Sequence, residues 1–349
     1  MRTALFMLSA AATLLAGSAV AKTAPKPVMI GYVATFKDMK GTLARTDLSK
    51  LTHINIAFLN PGPDNSLVTG DVMTCMTDIM KNPVATQDLR DAIATAHAGG
   101  VKVLASMGGG TIPLCSGDWV ALLTPQNRPA LIANLLAFVD EYKLDGLDID
   151  LEWDVLTKID TAGEYVPFAK ELGAALKKRG KLLTCATASH PGGMVPKASL
   201  ASFDYVNIMS YDTIGPSWGQ AGAEHASLAQ AQADVATWQA QGLPKSKLVL
   251  GVPFYGYGFN GYNPGYAYKD ILATFGEAAS DADIQGKACP GCQYVTYNGR
   301  PTIRAKAQLA AQTGAGVMIW ELSEDASAPD SLLGVAYDSL HEAADTKAR

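Results

Sequence analysis

Three carboxylates at alternate positions form the part of this sequence most capable of chemistry. Asp148, Asp150 and Glu152 are separated by aliphatic residues in the segment LDGLDIDLE, residues 144–152. Side chains alternate faces along a strand, so we expect the three acidic groups to share one face, with neighbouring Cα atoms about 6.6 Å apart. Crowding of like charge raises the pKa of at least one carboxyl, which can then keep a proton near neutral pH. The pattern therefore predicts a general acid.

A calcium loop and a solvated charged edge are two other interpretations of the same segment. An EF-hand loop needs a glycine at its sixth position and polar residues between its ligands. Counted from Asp148, the sixth residue is Trp153 and the spacers are aliphatic, so the pattern disfavours calcium. The aliphatic spacers and the helical patterns on both sides also disfavour a solvated edge. They predict a strand in the middle of the core.

Eight short apolar runs, separated by helical patterns, are predicted strands. They are Val28–Val33, His53–Leu59, Val101–Ser106, Gly146–Glu152, Leu182–Ser189, Tyr205–Met209, Leu248–Pro253 and Gly316–Trp320. Strand–helix alternation is typical of parallel strands, and eight repeats predict an α/β fold with a single closed (β/α)8 TIM barrel. A doubly wound open sheet is the alternative, but no glycine-rich dinucleotide fingerprint follows an early strand.

One long segment departs from this alternation. Residues 257–300, between predicted strands seven and eight, are rich in Gly, Tyr and Asn. We interpret them as a short insertion at the active-site end of the barrel and not as a separate domain. Earlier in the chain, Thr86 is predicted to cap a helix that ends at Gly99 and Gly100.

Polar and aromatic clusters fall at the ends of the predicted strands, where barrel enzymes place their working residues. Glu152 ends strand four. Ser106 ends strand three and is followed by Met107 and three glycines, whereas the residues MSYD, 209–212, end strand six. Trp320 ends strand eight, where an indole could stack on a sugar ring or simply fill the core.

These segments, in this order, resemble those of glycoside hydrolase family 18, the chitinase family. Residues 145–152, DGLDIDLE, resemble the family signature D-G-x-D-x-D-x-E. Residues 106–109 match its S-x-G-G motif, residues 209–212 match M-x-Y-D, and Trp320 matches the tryptophan that ends the eighth strand. The resemblance extends over nearly all of the chain after residue 21.

The resemblance implies a barrel enzyme that hydrolyses β-1,4 bonds between N-acetylglucosamine units of chitin or chito-oligosaccharides, without metal or organic cofactor. It implies a substrate-assisted, retaining reaction. Glu152 would protonate the glycosidic oxygen, and the N-acetyl carbonyl of the sugar would attack its own C1. Asp150 would hold the acetamido N–H, and Asp148 would share a proton with Asp150.

The resemblance also implies a set of substrate-binding residues. Tyr211 and Asp212 would orient the acetamido group, and Trp320 would lie beneath the reacting sugar. Further predicted substrate contacts are Met209, Ser106 and Asp145. An endo-β-N-acetylglucosaminidase acting on N-glycans would share the fold and the acidic strand, and a non-catalytic chitinase-like lectin is a further alternative. Such lectins typically lack the terminal glutamate that this chain retains.

The first 21 residues are predicted to be a secretory signal peptide. Arg2 precedes an apolar run at 4–15, and small residues end in Ala19-Val20-Ala21. The apolar run is too short to span a bilayer. Cleavage after Ala21 would leave residues 22–349 as one catalytic domain of a secreted or periplasmic protein. The net charge of −5 argues against nucleic acid or an anionic membrane as partner, and we expect a monomer.

The five cysteines allow two disulfides in an exported chain. Cys75 and Cys115 lie in predicted loops and could pair. Cys289 and Cys292, in CPGC, could bind zinc, form a redox pair or staple a loop. Since no second ligand pair and no thioredoxin-like context accompany them, we predict the staple. Cys185 lies in an apolar strand and is predicted to be a buried free thiol.

Overall fold

A computed structural model describes residues 27–348 of the chain, with side chains described for residues 27–343. The predicted signal peptide at residues 1–21 lies outside this range. In chain order the strands are β1 (Val28–Ala34), β2 (His53–Leu59), β3 (Val68–Thr69), β4 (Val72–Thr77), β5 (Pro83–Ala85), β6 (Lys102–Gly109), β7 (Gly146–Leu151), β8 (Leu182–Thr187), β9 (Tyr205–Ile208), β10 (Leu248–Pro253), β11 (Tyr255–Phe259), β12 (Tyr266–Ala267), β13 (Ile284–Gly286), β14 (Tyr294–Thr296) and β15 (Gly316–Trp320).

Helices connect the barrel strands and cover their outer face. In chain order they are α1 (Met39–Arg45), α2 (Thr86–Ala98), α3 (Trp119–Leu122), α4 (Arg128–Glu141), α5 (Trp153–Thr161), α6 (Tyr165–Lys178), α7 (Leu228–Ala240), α8 (Tyr268–Phe275), α9 (Arg300–Thr313) and α10 (Leu332–Ala348). Within residues 27–348, none of these helices is both long enough and apolar enough to cross a bilayer.

Eight parallel strands close into a barrel in the order β1-β15-β10-β9-β8-β7-β6-β2, and β2 pairs with β1. Each of the eight predicted strands corresponds to one of them, so the predicted (β/α)8 architecture is confirmed. Closure leaves the barrel sheet without a free edge, and the carboxyl ends of all eight strands open at the same mouth.

Side-chain alternation along β1 separates two apolar cores. Val28, Ile30 and Tyr32 point into the barrel, where they pack with Val249 and Met318. The intervening positions of the same strand belong to a larger core between the barrel and its helices. This division follows from the two-residue period of a strand, because every barrel strand is buried on both faces.

Local signals in the sequence set several helix ends. The Ser227 hydroxyl accepts the N–H of Gln230 and so caps α7, and α2 ends at Gly99 as predicted. The predicted cap at Thr86 is wrong by one residue. The helix begins at Thr86 itself, and its N–H instead donates to the carbonyl of Asp71.

The predicted insertion between the last two barrel strands folds into a small antiparallel sheet, β12-β11-β14-β13, accompanied by α8. This sheet begins at Tyr255, two residues before the expected start, because β11 follows β10 almost without a turn. Since β11 leaves the carboxyl end of β10, the insertion stands at the barrel mouth.

A second departure from strand–helix alternation was not predicted. Strands β3, β4 and β5 form an antiparallel sheet between β2 and α2. Two of them are only two and three residues long, which is too short for a recognisable alternation of apolar residues. The disulfide Cys75–Cys115 joins β4 to the loop after β6, as the sequence suggested. The predicted Cys289–Cys292 bond and the buried free thiol of Cys185 are also confirmed.

Closure of the barrel depends on a glycine where β15 meets β1. Gly316 pairs with Val28, and a Cβ at position 316 would lie 1.8 Å from the Val28 carbonyl oxygen. Gly316→Ala must push two paired strands apart, so we expect it to lower the free energy of unfolding by about 3 kcal/mol, measured by urea unfolding. Gly265→Ala is the control, because a Cβ there meets no atom within 4 Å. Equal stability of the two variants would contradict this account of closure.

Candidate active site

Strand β7 directs its acidic side chains into the barrel and its aliphatic side chains toward the helices. Asp148 and Asp150 are buried, at 0% and 3% exposure, whereas the aliphatic residues between them belong to the outer core. Glu152 follows the strand with an extended backbone, φ −121° and ψ 169°, so the alternation continues through it. The sequence prediction that the three carboxylates share a face therefore agrees with the observed strand.

Asp148 lies at the bottom of the row and accepts hydrogen bonds from four other barrel strands. Tyr32 Oη and Ser106 Oγ donate to Oδ2, each at 2.7 Å. Thr184 Oγ1 at 2.5 Å and Asn207 Nδ2 at 3.4 Å donate to Oδ1. Burial raises the pKa of Asp148, and these hydrogen bonds oppose the rise. Four donors match the acceptor capacity of an ionised carboxylate, so Asp148 is the member of the row best suited to carry charge.

Asp150 has the opposite environment. Its Oδ1 is buried, and no group among the described residues donates a hydrogen bond to it. Burial, followed by the charges of Glu152 and Asp148, raises the pKa of Asp150 well above its usual value. A buried carboxyl without donors favours the neutral form, so Asp150 is better suited than Asp148 to hold a proton.

Glu152 stands at the barrel mouth, at the open end of the row. Burial and then the negative charge of Asp212 raise the pKa of Glu152 to about 7. Gly110 makes room for the side chain, since a Cβ at that position would lie 3.0 Å from Glu152 Oε1. Glu152 can therefore keep a proton near neutral pH and donate it into the cleft.

The glycines that follow Ser106 allow the strands to approach each other beside this row. Gly108 and Gly109 have φ values of +98° and +97°, which favour glycine. A Cβ at Gly108 would lie 2.6 Å from the carbonyl oxygen of Asp150, and a Cβ at Gly109 would lie 2.7 Å from the ring of Phe58. Larger residues here would push β7 or Phe58 out of place.

Asp212, just beyond β9, is held by contacts to its side chain and to its backbone. Tyr255 Oη donates to Asp212 Oδ1 at 2.6 Å, and His225 Nδ1 lies 3.5 Å from the same oxygen. Trp218 Nε1 donates to the backbone carbonyl of Asp212 at 3.1 Å. Asp212 itself has φ +61°, an uncommon value for a residue other than glycine. These contacts fix the carboxylate that faces Glu152.

A cavity of about 370 Å³ brings most of the predicted site residues together. Those that line it are Asp150, Glu152, Met209, Tyr211, Asp212 and Trp320. The Trp320 ring stacks on Phe58, with centroids 5.6 Å apart, and meets the edge of Tyr32 at 5.4 Å. The Tyr211 hydroxyl has only a 4.0 Å contact with Met318 Sδ among its hydrogen bonds within the described residues, so it is available to a ligand.

This cavity is the centre of a longer cleft. It shares lining residues with three neighbouring cavities of about 480, 430 and 470 Å³. Exposed Trp153 and Trp218 line the first of these, and the Trp153 ring stacks on His190 with centroids 5.6 Å apart. An extended cleft with exposed aromatic rings suits a chain of sugar rings.

Sequence reasoning did not assign Trp153 or Trp218 to the site. Trp153 could have been found from its position directly after Glu152. Trp218 lies in an irregular loop without a motif, so its place in the cleft depends on tertiary structure.

The structure places two of the predicted substrate contacts, Asp145 and Ser106, outside the cavities of the cleft. Asp145 lies before β7, at the opposite end of the barrel, where its Oδ2 accepts the N–H of Val103 and pairs with His97 Nε2, both at 2.8 Å. Glu152 lies seven positions further along the chain, which is about 23 Å of extended backbone. Ser106 is fully buried and donates to Asp148, so it lies beneath the cleft. Motif position alone does not distinguish a residue that supports the site from one that touches the ligand.

Comparisons with known proteins agree with this geometry. The sequence model described as "Glycosyl hydrolases family 18" matches residues 28–325. The GH18 chitinase ChiB of Flavobacterium johnsoniae is 33% identical, with a TM-score of 0.77 over 91% of this chain and 95% of that one. A chitinase from Bacteroides thetaiotaomicron is 31% identical, with a TM-score of 0.74 over 90% of this chain and 97% of that one.

Curated relatives include a chitinase-like effector of Moniliophthora roreri, 29% identical over 62% of this chain and 55% of its own length. The chain spans 12% and 55% of the length of the first two curated relatives that it matches. The family match covers most of the chain and includes the whole acidic strand. The chain therefore belongs to family 18 of the glycosyl hydrolases.

Proposed function

We propose that this protein is an exported chitinase that hydrolyses β-1,4 bonds between N-acetylglucosamine units of chitin or chito-oligosaccharides. The observation that carries the proposal is the pairing of Glu152, whose pKa is near 7, with a buried carboxyl on Asp150 that lacks a partner among the described residues. Glu152 supplies the acid, and Asp150 offers a carboxyl oxygen at the floor of the cleft that can accept a hydrogen bond from the substrate. The export part of the proposal rests on the sequence of residues 1–21.

The reaction begins with proton transfer from Glu152 to the glycosidic oxygen. As the bond between this oxygen and C1 breaks, the carbonyl oxygen of the substrate's own N-acetyl group bonds to C1 and gives an oxazolinium ion. The Glu152 carboxylate then takes a proton from a water molecule, which attacks C1 and opens the ring. Two displacements at C1 leave the product with the configuration of the substrate.

Asp150 and Asp148 stabilise the positive charge that develops on the acetamido group. An approaching acetamido N–H supplies the donor that Asp150 lacks in the free protein, and so favours its ionised form. The two aspartates titrate as a coupled pair, because the charge of Asp148 raises the pKa of Asp150. The proton that Asp150 releases can pass to Asp148 in exchange for one of the four donors on that carboxylate. Since both are buried, their charge acts with little screening by water.

Tyr211, Asp212, Met209 and Trp320 hold the reacting sugar in place. The Tyr211 hydroxyl donates to the acetamido oxygen, because burial raises its pKa well above 10 and keeps it protonated. Asp212 accepts from the same end of the sugar, and Trp320 supplies an apolar floor fixed by Phe58. This ordering brings the carbonyl oxygen within reach of C1.

Turnover has to be measured, because one relative is named a chitinase-like effector. The wild type should cleave a ladder of chito-oligosaccharides, and Glu152→Gln should lower kcat by about 10³-fold while leaving binding within about twofold. The amide keeps the size of the side chain but cannot donate the proton. Mass spectrometry gives the products, and calorimetry with the variant gives the binding.

Binding without turnover by the wild type would instead indicate a lectin. Release of a high-mannose glycan from a glycoprotein, with intact chito-oligosaccharides, would indicate an endo-β-N-acetylglucosaminidase. Glu152→Gln turning over at the wild-type rate would remove this residue from the mechanism.

The pH dependence follows from the protonation of Glu152. Its pKa is raised from the usual value to about 7, so the acid form persists up to that pH and is lost above it. We expect kcat to be half-maximal near pH 7 on the alkaline limb and then to fall about tenfold per pH unit. Asp212→Asn removes the charge that helps to raise this pKa and should move the limb to lower pH. An unchanged limb in that variant would contradict the assigned cause.

Stereochemistry tests the substrate-assisted route independently of any mutation. Freshly released reducing ends should be the β-anomer, because the acetamido group and then water each displace at C1. Proton NMR within the first minutes of reaction, before mutarotation, distinguishes the anomers. Initial release of the α-anomer would exclude the oxazolinium ion.

A further inference from the structure

We propose that His225 is a positioning residue for the reaction: its imidazole holds the Asp212 carboxylate in place beside Glu152 and so extends activity toward higher pH. This inference rests on the proposed hydrolase function. It assigns a role to a histidine that lies in no motif of the sequence and lines none of the cavities of the cleft.

The contact that carries the inference joins the imidazole to the catalytic carboxylates through Asp212. His225 is completely buried, and its Nδ1 lies 3.5 Å from Asp212 Oδ1. Tyr255 Oη donates to the same oxygen at 2.6 Å. Asp212 is in turn the charged group that acts on Glu152. A group that donates a hydrogen bond to Asp212 therefore acts on Glu152 through a single intervening residue.

The imidazole is fixed in its position by two elements. Its ring packs between Tyr255 and Tyr257 of β11, with centroid separations of 5.3 and 5.2 Å. Its backbone N–H donates to Thr296 Oγ1 at 3.2 Å, and its carbonyl accepts from the N–H and the hydroxyl of Thr213, both at 3.1 Å. Thr296 belongs to the insertion and Thr213 to the loop of Asp212. The histidine therefore ties the insertion to the loop that carries Asp212.

Burial, and not the surrounding charge, favours a neutral imidazole. Burial lowers the pKa of His225, whereas the contact with Asp212 and the charge of Asp212 raise it. Lys306 on α9 lowers the pKa of His225 while it is charged, and burial lowers the pKa of Lys306 itself to about 7. The tyrosines of β11 are neutral phenols, because burial raises their pKa values. Glu152 lies beyond Asp212, and half-buried Glu224 is the preceding residue in the chain.

A neutral donor has a consequence that a charged one would not have. An imidazolium beside Asp212 would cancel the negative charge that keeps the proton on Glu152. A neutral Nδ1–H stabilises the carboxylate and leaves this charge in place. His225 thus supports the Asp212 anion without weakening its effect on the acid.

Packing alone does not account for a histidine at this position. The second ring nitrogen, Nε2, is buried without a hydrogen-bond partner among the described residues. An apolar ring of similar shape would fill the space without the cost of an unpaired nitrogen. Such a ring lacks the nitrogen that lies 3.5 Å from Asp212 Oδ1 and can donate to it.

Two substitutions distinguish the effect of the hydrogen-bond donor from the effect of the aromatic ring. His225→Phe keeps an aromatic ring between the tyrosines but removes the donor, whereas His225→Asn loses the ring and keeps an amide N–H near the Nδ1 position. On a chito-oligosaccharide, His225→Phe should shift the alkaline limb of the kcat profile down by about one pH unit and lower kcat at pH 7 about fivefold, with KM within about twofold. His225→Asn should keep the limb within about 0.3 unit of the wild type.

An unshifted limb in His225→Phe overturns the proposal, as does an equal shift in both variants, which would indicate a purely structural role.

Nitrogen-15 NMR of the histidines provides a readout that needs neither turnover nor a folded variant of His225. In wild type, the ring should be neutral with its proton on Nδ1 at pH 7 and above, because burial lowers the pKa of His225, and Asp212→Asn should move the Nδ1 signal. A proton on Nε2, or a charged ring, overturns the proposal. A wild type without turnover would refute the hydrolase function and leave this NMR result to decide the contact.

Discussion

The structure depends on the burial of two adjacent carboxyl groups with opposite hydrogen-bonding environments on one strand. Asp148 receives four donors from four other barrel strands, whereas Asp150 receives none from the described residues. In a medium of low polarity, this difference favours charge on Asp148 and a proton on Asp150. The donors on Asp148 can only meet because the barrel is closed. Closure of the barrel therefore determines which of the two carboxyl groups is better suited to carry charge.

The small sheet inserted at the barrel mouth takes part in this arrangement. Its first strand supplies Tyr255, which donates to Asp212, and Tyr257, which packs against His225. Asp212 then acts on Glu152 across the cleft. Two effects therefore raise the pKa of Glu152. One is its burial just after β7, and the other is the charge of Asp212, which the insertion holds in place. In the proposed mechanism, this connection gives the insertion a role in catalysis in addition to forming one wall of the cleft.

Much of the fold and the centre of the site could be predicted from the sequence, because both follow from short-range periodicity. The two-residue alternation in residues 146–152 was enough to place Asp148, Asp150 and Glu152 on one face. The eight apolar runs were enough to predict the barrel. Trp320, Tyr211 and Asp212 could be placed because strand ends converge at the mouth of a barrel.

The remaining features depend on contacts between distant parts of the chain. The strands β3 to β5 are too short to leave a periodic signal. Asp145 was predicted from the motif alone, although it precedes β7 and so lies at the end of the barrel away from the mouth. His225 and Trp218 lie in an irregular loop and gain their importance from Asp212, which they reach only in the folded chain. Sequence spacing contains no information about such contacts.

The most direct test of the account is a crystal structure of the Glu152→Gln variant with a chito-oligosaccharide bound across the cleft. The sugar above Trp320 should direct its acetamido group into the barrel, with the nitrogen hydrogen-bonded to Asp150 and the carbonyl oxygen about 3 Å from C1. An acetamido group that points to solvent, with Asp150 still without a partner, would contradict the central claim.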